Sequence, residues 1–134
     1  MSLIHALGTT VRVDLGEDID PEEFAGAWSR CLGDDAAEAE NTADDPTPVV
    51  AGQRSMTSLT QAITRALIER RAGELLMLHA GAVCNPDTGA AIAYVAPGGT
   101  GKTTLTRLLG TRYGYLTDET VGIEPRTWEI KPYP

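Results

Sequence analysis

One stretch constrains this chain more than any other: Tyr94-Val95-Ala96-Pro97-Gly98-Gly99-Thr100-Gly101-Lys102-Thr103-Thr104-Leu105. Glycine tolerates positive φ, so Gly98, Gly99 and Gly101 let the backbone curl until successive N–H groups face one anion. The stretch matches the end of the phosphate-loop pattern G-x-x-x-x-G-K-[ST]. Ala96 stands where the pattern has its first glycine, a tolerable change if φ is negative there. Lys102 would reach the terminal phosphates, and the Thr103 hydroxyl would bind Mg²⁺. A helix beginning at Lys102 adds the positive end of its dipole. Such a loop is expected between a strand and a helix. Residues 90–96, AAIAYVA, read as the strand, and Leu105, Leu108 and Leu109 as the apolar stripe of the helix. The candidate binding residues are Pro97, Gly98, Gly99, Thr100, Gly101, Lys102, Thr103 and Thr104. The competing reading is a glycine-rich turn with no ligand.

The surroundings predict an α/β chain. Residues 75–83, LLMLHAGAV, form a near-continuous apolar run, as a buried strand should. NPDTG at 85–89 is turn chemistry, so 75–96 reads as a hairpin in the core of a sheet. After the loop and its helix come a strand at 114–117, the acidic pair Asp118-Glu119, a strand at 120–123, and a turn into one last strand. Upstream, Val11, Val13 and Leu15 alternate with polar residues as in a half-buried strand. Asp20 and Pro21 begin a helix whose apolar face is Phe24, Ala27, Trp28 and Cys31, with Gly33 as its stop. A second helix carries Leu59, Ile63 and Leu67, with Thr57 or Ser58 as cap and Gly73 as its end. Residues 33–48 are acidic, small and proline-bearing. They read as a loop rather than a metal site, because they lack calcium-loop spacing. The chain thus divides into an N-terminal α+β segment, 1–74, expected to complete the sheet, and a phosphate-loop domain, 75–134.

Bulk properties narrow the partners. With a net charge of −8 and no basic cluster beyond Arg70-Arg71, the chain is expected to bind neither nucleic acid nor anionic membranes. No stretch approaches the ~20 apolar residues of a membrane span, and no export signal precedes the first strand. The two cysteines, Cys31 and Cys84, read as reduced thiols, and the expected compartment is the cytoplasm.

Two further features carry chemistry. Asp118 and Glu119 stand directly after a strand, one helix beyond the loop. Carboxylates so placed can hold Mg²⁺ or accept a hydroxyl proton in phosphoryl transfer, or they can simply cap a turn. His79 sits within an apolar run, where a histidine is more often a hydrogen-bonded core residue than a catalyst.

Together, LHAGAV, a hairpin, APGGTGKTTL and GYLTDETVGI resemble the catalytic domain of HPr kinase/phosphorylase and the HPr-kinase-related proteins. The resemblance covers about residues 75–131. It implies a mixed sheet around a central phosphate loop, a fold shared with phosphoenolpyruvate carboxykinase. It also implies ATP- and Mg²⁺-dependent phosphorylation of a serine in a protein or peptide. Lys102 would be the loop lysine, Thr103 and Asp118 the metal ligands, and His79 the active-site histidine. The family's pair is typically Asp-Asp, whose second member takes the serine proton; here that position is Glu119, so either Glu119 or Asp118 serves as base. The related-kinase subgroup, with Asp-Glu at this place, is closer. The chain ends at Pro134, where the resemblance leads one to expect further elements, so an incomplete member is expected, with a sheet edge that self-association would cover. The alternative is a nucleotide-binding regulatory or partner module without catalysis.

Overall fold

A computed structural model describes residues 1–33 and 47–134 of the chain, so most of the acidic 33–48 stretch lies outside the described residues. The chain is mixed α/β. Among the described residues it has three helices and three three-stranded sheets, and no helix is long and apolar enough to cross a membrane. It divides into two units, Met1–Ala72 and Gly73–Pro134.

The first unit opens with a hairpin, not a single strand. β1 (Ser2–Ala6) and β2 (Thr9–Val13) pair antiparallel, with Ala6 opposite Thr9. The two-residue turn between them has positive φ at both Leu7 (53°) and Gly8 (68°), as a type I′ turn requires. Leucine is strained there, but its side chain is fully buried, and burying it is worth about 1.5–3 kcal/mol. α1 (Pro21–Ala27) starts as expected: the Asp20 carboxylate accepts the Glu22 N–H at 2.9 Å, and proline leads the first turn. It ends six residues before Gly33. Beyond Trp28 the chain turns to run beside β1, where Leu32 bridges to Ile4 and the Gly33 N–H donates to Leu3 O. Gly33 is there because any Cβ would collide with the His5 ring, not to stop a helix. Phe24, Trp28 and Cys31 are buried and Ala27 is exposed. β3 (Val49–Val50) adds a parallel strand to β2. α2 (Met56–Arg70) is capped by Ser55, whose hydroxyl accepts the Ser58 N–H, and it buries Leu59, Ile63 and Leu67 against β2 and β3. Residues 1–74 were expected to complete the C-terminal sheet; instead β1, β2 and β3 form a sheet of their own.

In the second unit the apolar run at 75–83 is not one strand. β4 (Leu76–His79) and β5 (Gly81–Cys84) are separated by Ala80 and belong to different sheets. β4 pairs with β8 (Thr120–Ile123), and the hairpin is β5 with β6 (Ala91–Tyr94). β6 is an edge strand, so Ala91 and Ile92 are exposed rather than buried. α3 (Lys102–Leu109) follows the glycine-rich loop and packs on β5 and β7 (Gly114–Thr117). β8 (Thr120–Ile123) pairs with β9 (Ile130–Lys131) beyond the turn at 124–129. Every strand pairing in this unit is antiparallel. Its core is Ala80, Ala82 and Val121, flanked by Leu78, Leu116, Ile123 and Ile130. The chain therefore changes sheets twice, at Ala80 and at Asp118-Glu119. The two crossings are tied together by the Ala80 N–H donating to Glu119 O at 3.1 Å.

Candidate functional site

The loop between β6 and α3 takes its shape from glycine. Gly99 has φ 78° and Gly101, the N-cap of α3, has φ 92°. Among the described residues the only non-glycines at positive φ are Leu7 and Trp128, so Ala96 meets the condition for replacing glycine. The Thr100 hydroxyl donates to Pro97 O at 2.7 Å and closes the loop on itself. The Lys102 ammonium folds back over it, donating to Ala96 O at 2.6 Å and Pro97 O at 3.2 Å. The first backbone bond of α3 runs from the Leu105 N–H to Gly101 O. The amides of Lys102, Thr103 and Thr104 precede it and have no partner within the helix.

The helix is fastened by a residue that periodicity did not single out. Thr106 is fully buried, whereas Leu105 and Leu108 are exposed. The apolar stripe read from the sequence is thus not the packed face. The Thr106 hydroxyl donates to Lys102 O at 2.8 Å. It has one proton, so in the 2.6 Å contact with Tyr94 the tyrosine hydroxyl is the donor. This chain, Tyr94 to Thr106 to Lys102, locks the first turn of α3 onto β6. Gly81 makes it possible: a Cβ there would overlap the Tyr94 ring and come within 2.6 Å of Thr106 Oγ1.

The acids are presented by the second sheet crossing. Thr117 is buried, and its hydroxyl oxygen accepts the N–H groups of Glu119 and Thr120, each at 3.2 Å. This shapes the corner on which Asp118 and Glu119 stand. The Tyr115 hydroxyl donates to Asp118 Oδ1 at 2.8 Å. His79, at the end of β4, pairs with Thr120 of β8 and therefore arrives beside the same corner. It is exposed, not a core histidine, because β4 ends where the sheet ends.

These pieces line one cleft of about 360 Å³. It is lined by Gly98, Gly99 and Gly101 of the loop, by Lys102 and Thr103 at the start of the helix, and by His79, Asp118 and Glu119. Pro97 and Thr100 shape the loop from behind, and Thr104 is exposed on the first turn of α3. The cleft therefore combines amides without a partner in the helix, an ammonium, a hydroxyl and two carboxylates. Among the described residues no three His, Cys, Asp or Glu side chains converge into a self-sufficient metal site. Tyr94, Thr106, Gly81 and Tyr115 were missed by sequence reasoning. Their partners lie up to 25 positions away, and no local pattern marks them.

No protein-family model matches the chain, and neither the curated proteins nor the solved structures return a significant match.

Proposed function

We propose that the cleft binds the phosphates of ATP with Mg²⁺ and that the protein transfers the terminal phosphoryl group to a serine hydroxyl of a protein or peptide. Residues 75–134 would then be of the HPr-kinase-related type, working in the cytoplasm. One observation supports this reading above others: the loop glycines, Lys102, Thr103, His79, Asp118 and Glu119 line a single cleft. The loop and the first amides of α3 suit a phosphate, which needs several N–H donors converging at once. Lys102, now on the loop carbonyls, has its ammonium where it can turn to the anion's charge. Thr103 and Asp118 are hard oxygen donors of the kind that hold Mg²⁺ alongside phosphate oxygens. Bound Mg²⁺ would neutralise charge on those oxygens. Glu119, exposed at the corner, would accept the serine proton, and His79 would lie beside the transferred group. A second reading is nucleotide binding without transfer, in a regulatory or partner role.

Thermal unfolding with Mg-ATP and Mg-ADP tests the site. Ligand at about 100 times its Kd adds roughly 2.7 kcal/mol, which for a chain of this size is a rise on the order of 10 °C. The rise is expected in the wild type and not in Lys102→Ala. No rise in the wild type would remove the nucleotide reading altogether. Transfer of a labelled γ-phosphate to serine peptides, lost in Glu119→Gln or Asp118→Asn, separates the kinase from the binding module. Labelling that survives both substitutions would refute the assigned roles.

A further inference from the structure

The two acids of the cleft are held differently. The Glu119 side chain is exposed, and the bonds that fix this residue are made by its backbone: its N–H to Thr117 and its carbonyl to Ala80. Asp118 is half-buried, and its carboxylate accepts a hydrogen bond from Tyr115. We propose that Tyr115 is a positioning residue, whose hydroxyl fixes the Asp118 carboxylate as a rigid metal ligand while Glu119 stays free to move. This rests on the function proposed above.

The first support is the register of β7. Val83 lies opposite Tyr115, and Ala82 lies opposite Thr117, so one step on β5 spans two on β7. Leu116 is the extra residue of a β-bulge. In a regular strand Tyr115 and Thr117 would share a face. The bulge separates them, so that Thr117 can shape the acidic corner while Tyr115 occupies the face of Val83 and reaches Asp118. Bulges re-aim side chains in this way beside sites.

The second support is the seat of the ring. Gly110 ends α3, and a Cβ there would stand 3.4 Å from the Tyr115 ring and 3.0 Å from Thr106 O. The ring therefore lies in contact range of the end of the helix whose other end carries Lys102 and Thr103. The third is redundancy. The corner at 117–120 is already closed by the two bonds to Thr117 and the bond from Ala80. The Tyr115 bond adds to these a hold on the Asp118 carboxylate itself. It uses Oδ1, and Oδ2 is the oxygen left for a cation.

Partners of this kind typically change metal affinity by about 10- to 100-fold. The test is a Mn²⁺ titration of protein saturated with ADP, with free Mn²⁺ read by electron paramagnetic resonance. Tyr115→Phe keeps the ring and should bind Mn²⁺ roughly tenfold more weakly, with the melting temperature of the metal-free protein unchanged. In an Asp118→Asn background the same change should add nothing. Wild-type affinity in Tyr115→Phe, or an equal loss in both backgrounds, overturns the proposal. A fall of more than a few degrees in the metal-free protein also overturns it, because the bond would then be structural. If the wild type binds ADP but Tyr115 is without effect, this inference alone fails. If the wild type binds neither ADP nor Mn²⁺, the proposed function fails with it.

Discussion

Cys31 and Cys84 look alike as sequence, but their surroundings differ. Cys31 is almost fully buried, whereas Cys84 is half-exposed on β5. Burial pushes the Cys31 thiol up from its ordinary value, and the charge of Arg30 offsets part of the shift. The thiolate is the reactive form. Iodoacetamide at pH 8 should therefore label Cys84 first and Cys31 only as the protein opens, with mass spectrometry identifying the site. Equal rates in the native protein would contradict the burial. The pH dependence has a definite sign. The folded state holds the Cys31 proton to higher pH than the unfolded chain, whose thiol ionises near 8.5. The stabilisation is complete below that value and is lost as pH rises beyond it through the higher pKa of the folded state. His79 is the converse case. Its apolar neighbours in sequence made it resemble a core residue, yet the end of β4 leaves it exposed in the cleft.

At the scale of elements, α3 and the hairpin before it matter most. The cleft depends on the start of α3 being held against β6, and that hold is the Tyr94–Thr106–Lys102 chain. Gly81→Ala should push Tyr94 and Thr106 apart. Overpacking of this sort costs about 1–3 kcal/mol, readable as a lower urea midpoint at an unchanged slope. Nucleotide affinity should fall as well, because the first turn of α3 loses its anchor. A variant with wild-type stability would show that the contact is soft. α2 was legible from sequence because Leu59, Ile63 and Leu67 recur every four residues and all three are buried. α3 was legible as a helix, but its packed face was not. Three leucines suggested one stripe, and the tyrosine that selects Thr106 instead lies on another element. The break at Ala80 was equally hidden, since the run 75–83 is apolar on both sides of it, and only the partner strands divide it.

The whole molecule carries a net charge of −8 and an isoelectric point near 4.6. It also exposes apolar side chains on its second unit: Ile92, Val95, Leu105 and Leu108. At neutral pH the charge keeps copies apart; where it vanishes, those side chains are free to associate. Light scattering at fixed protein concentration should therefore rise sharply near pH 4.6, and Leu108→Glu should lower the rise. A flat profile across that pH would mean the exposed leucines and isoleucine do not adhere.

The sequence by itself determined whatever local physics controls. Asp20 and Pro21 start a helix because a carboxylate and a fixed φ suit its first turn. Residues 85–89 make a turn through the Asn85 side chain, and Gly99 and Gly101 curl the loop because few other residues accept that backbone. The tertiary structure decided everything that depends on a distant partner. It set which sheet receives each half of an apolar run, which side of α3 is covered, and where His79 points. It also decided that Tyr115 meets Asp118, through a bulge defined only by the strand across from it. Local signals act over a few bonds and are written in consecutive residues. Pairing and burial are set by residues that become neighbours only when the chain has folded.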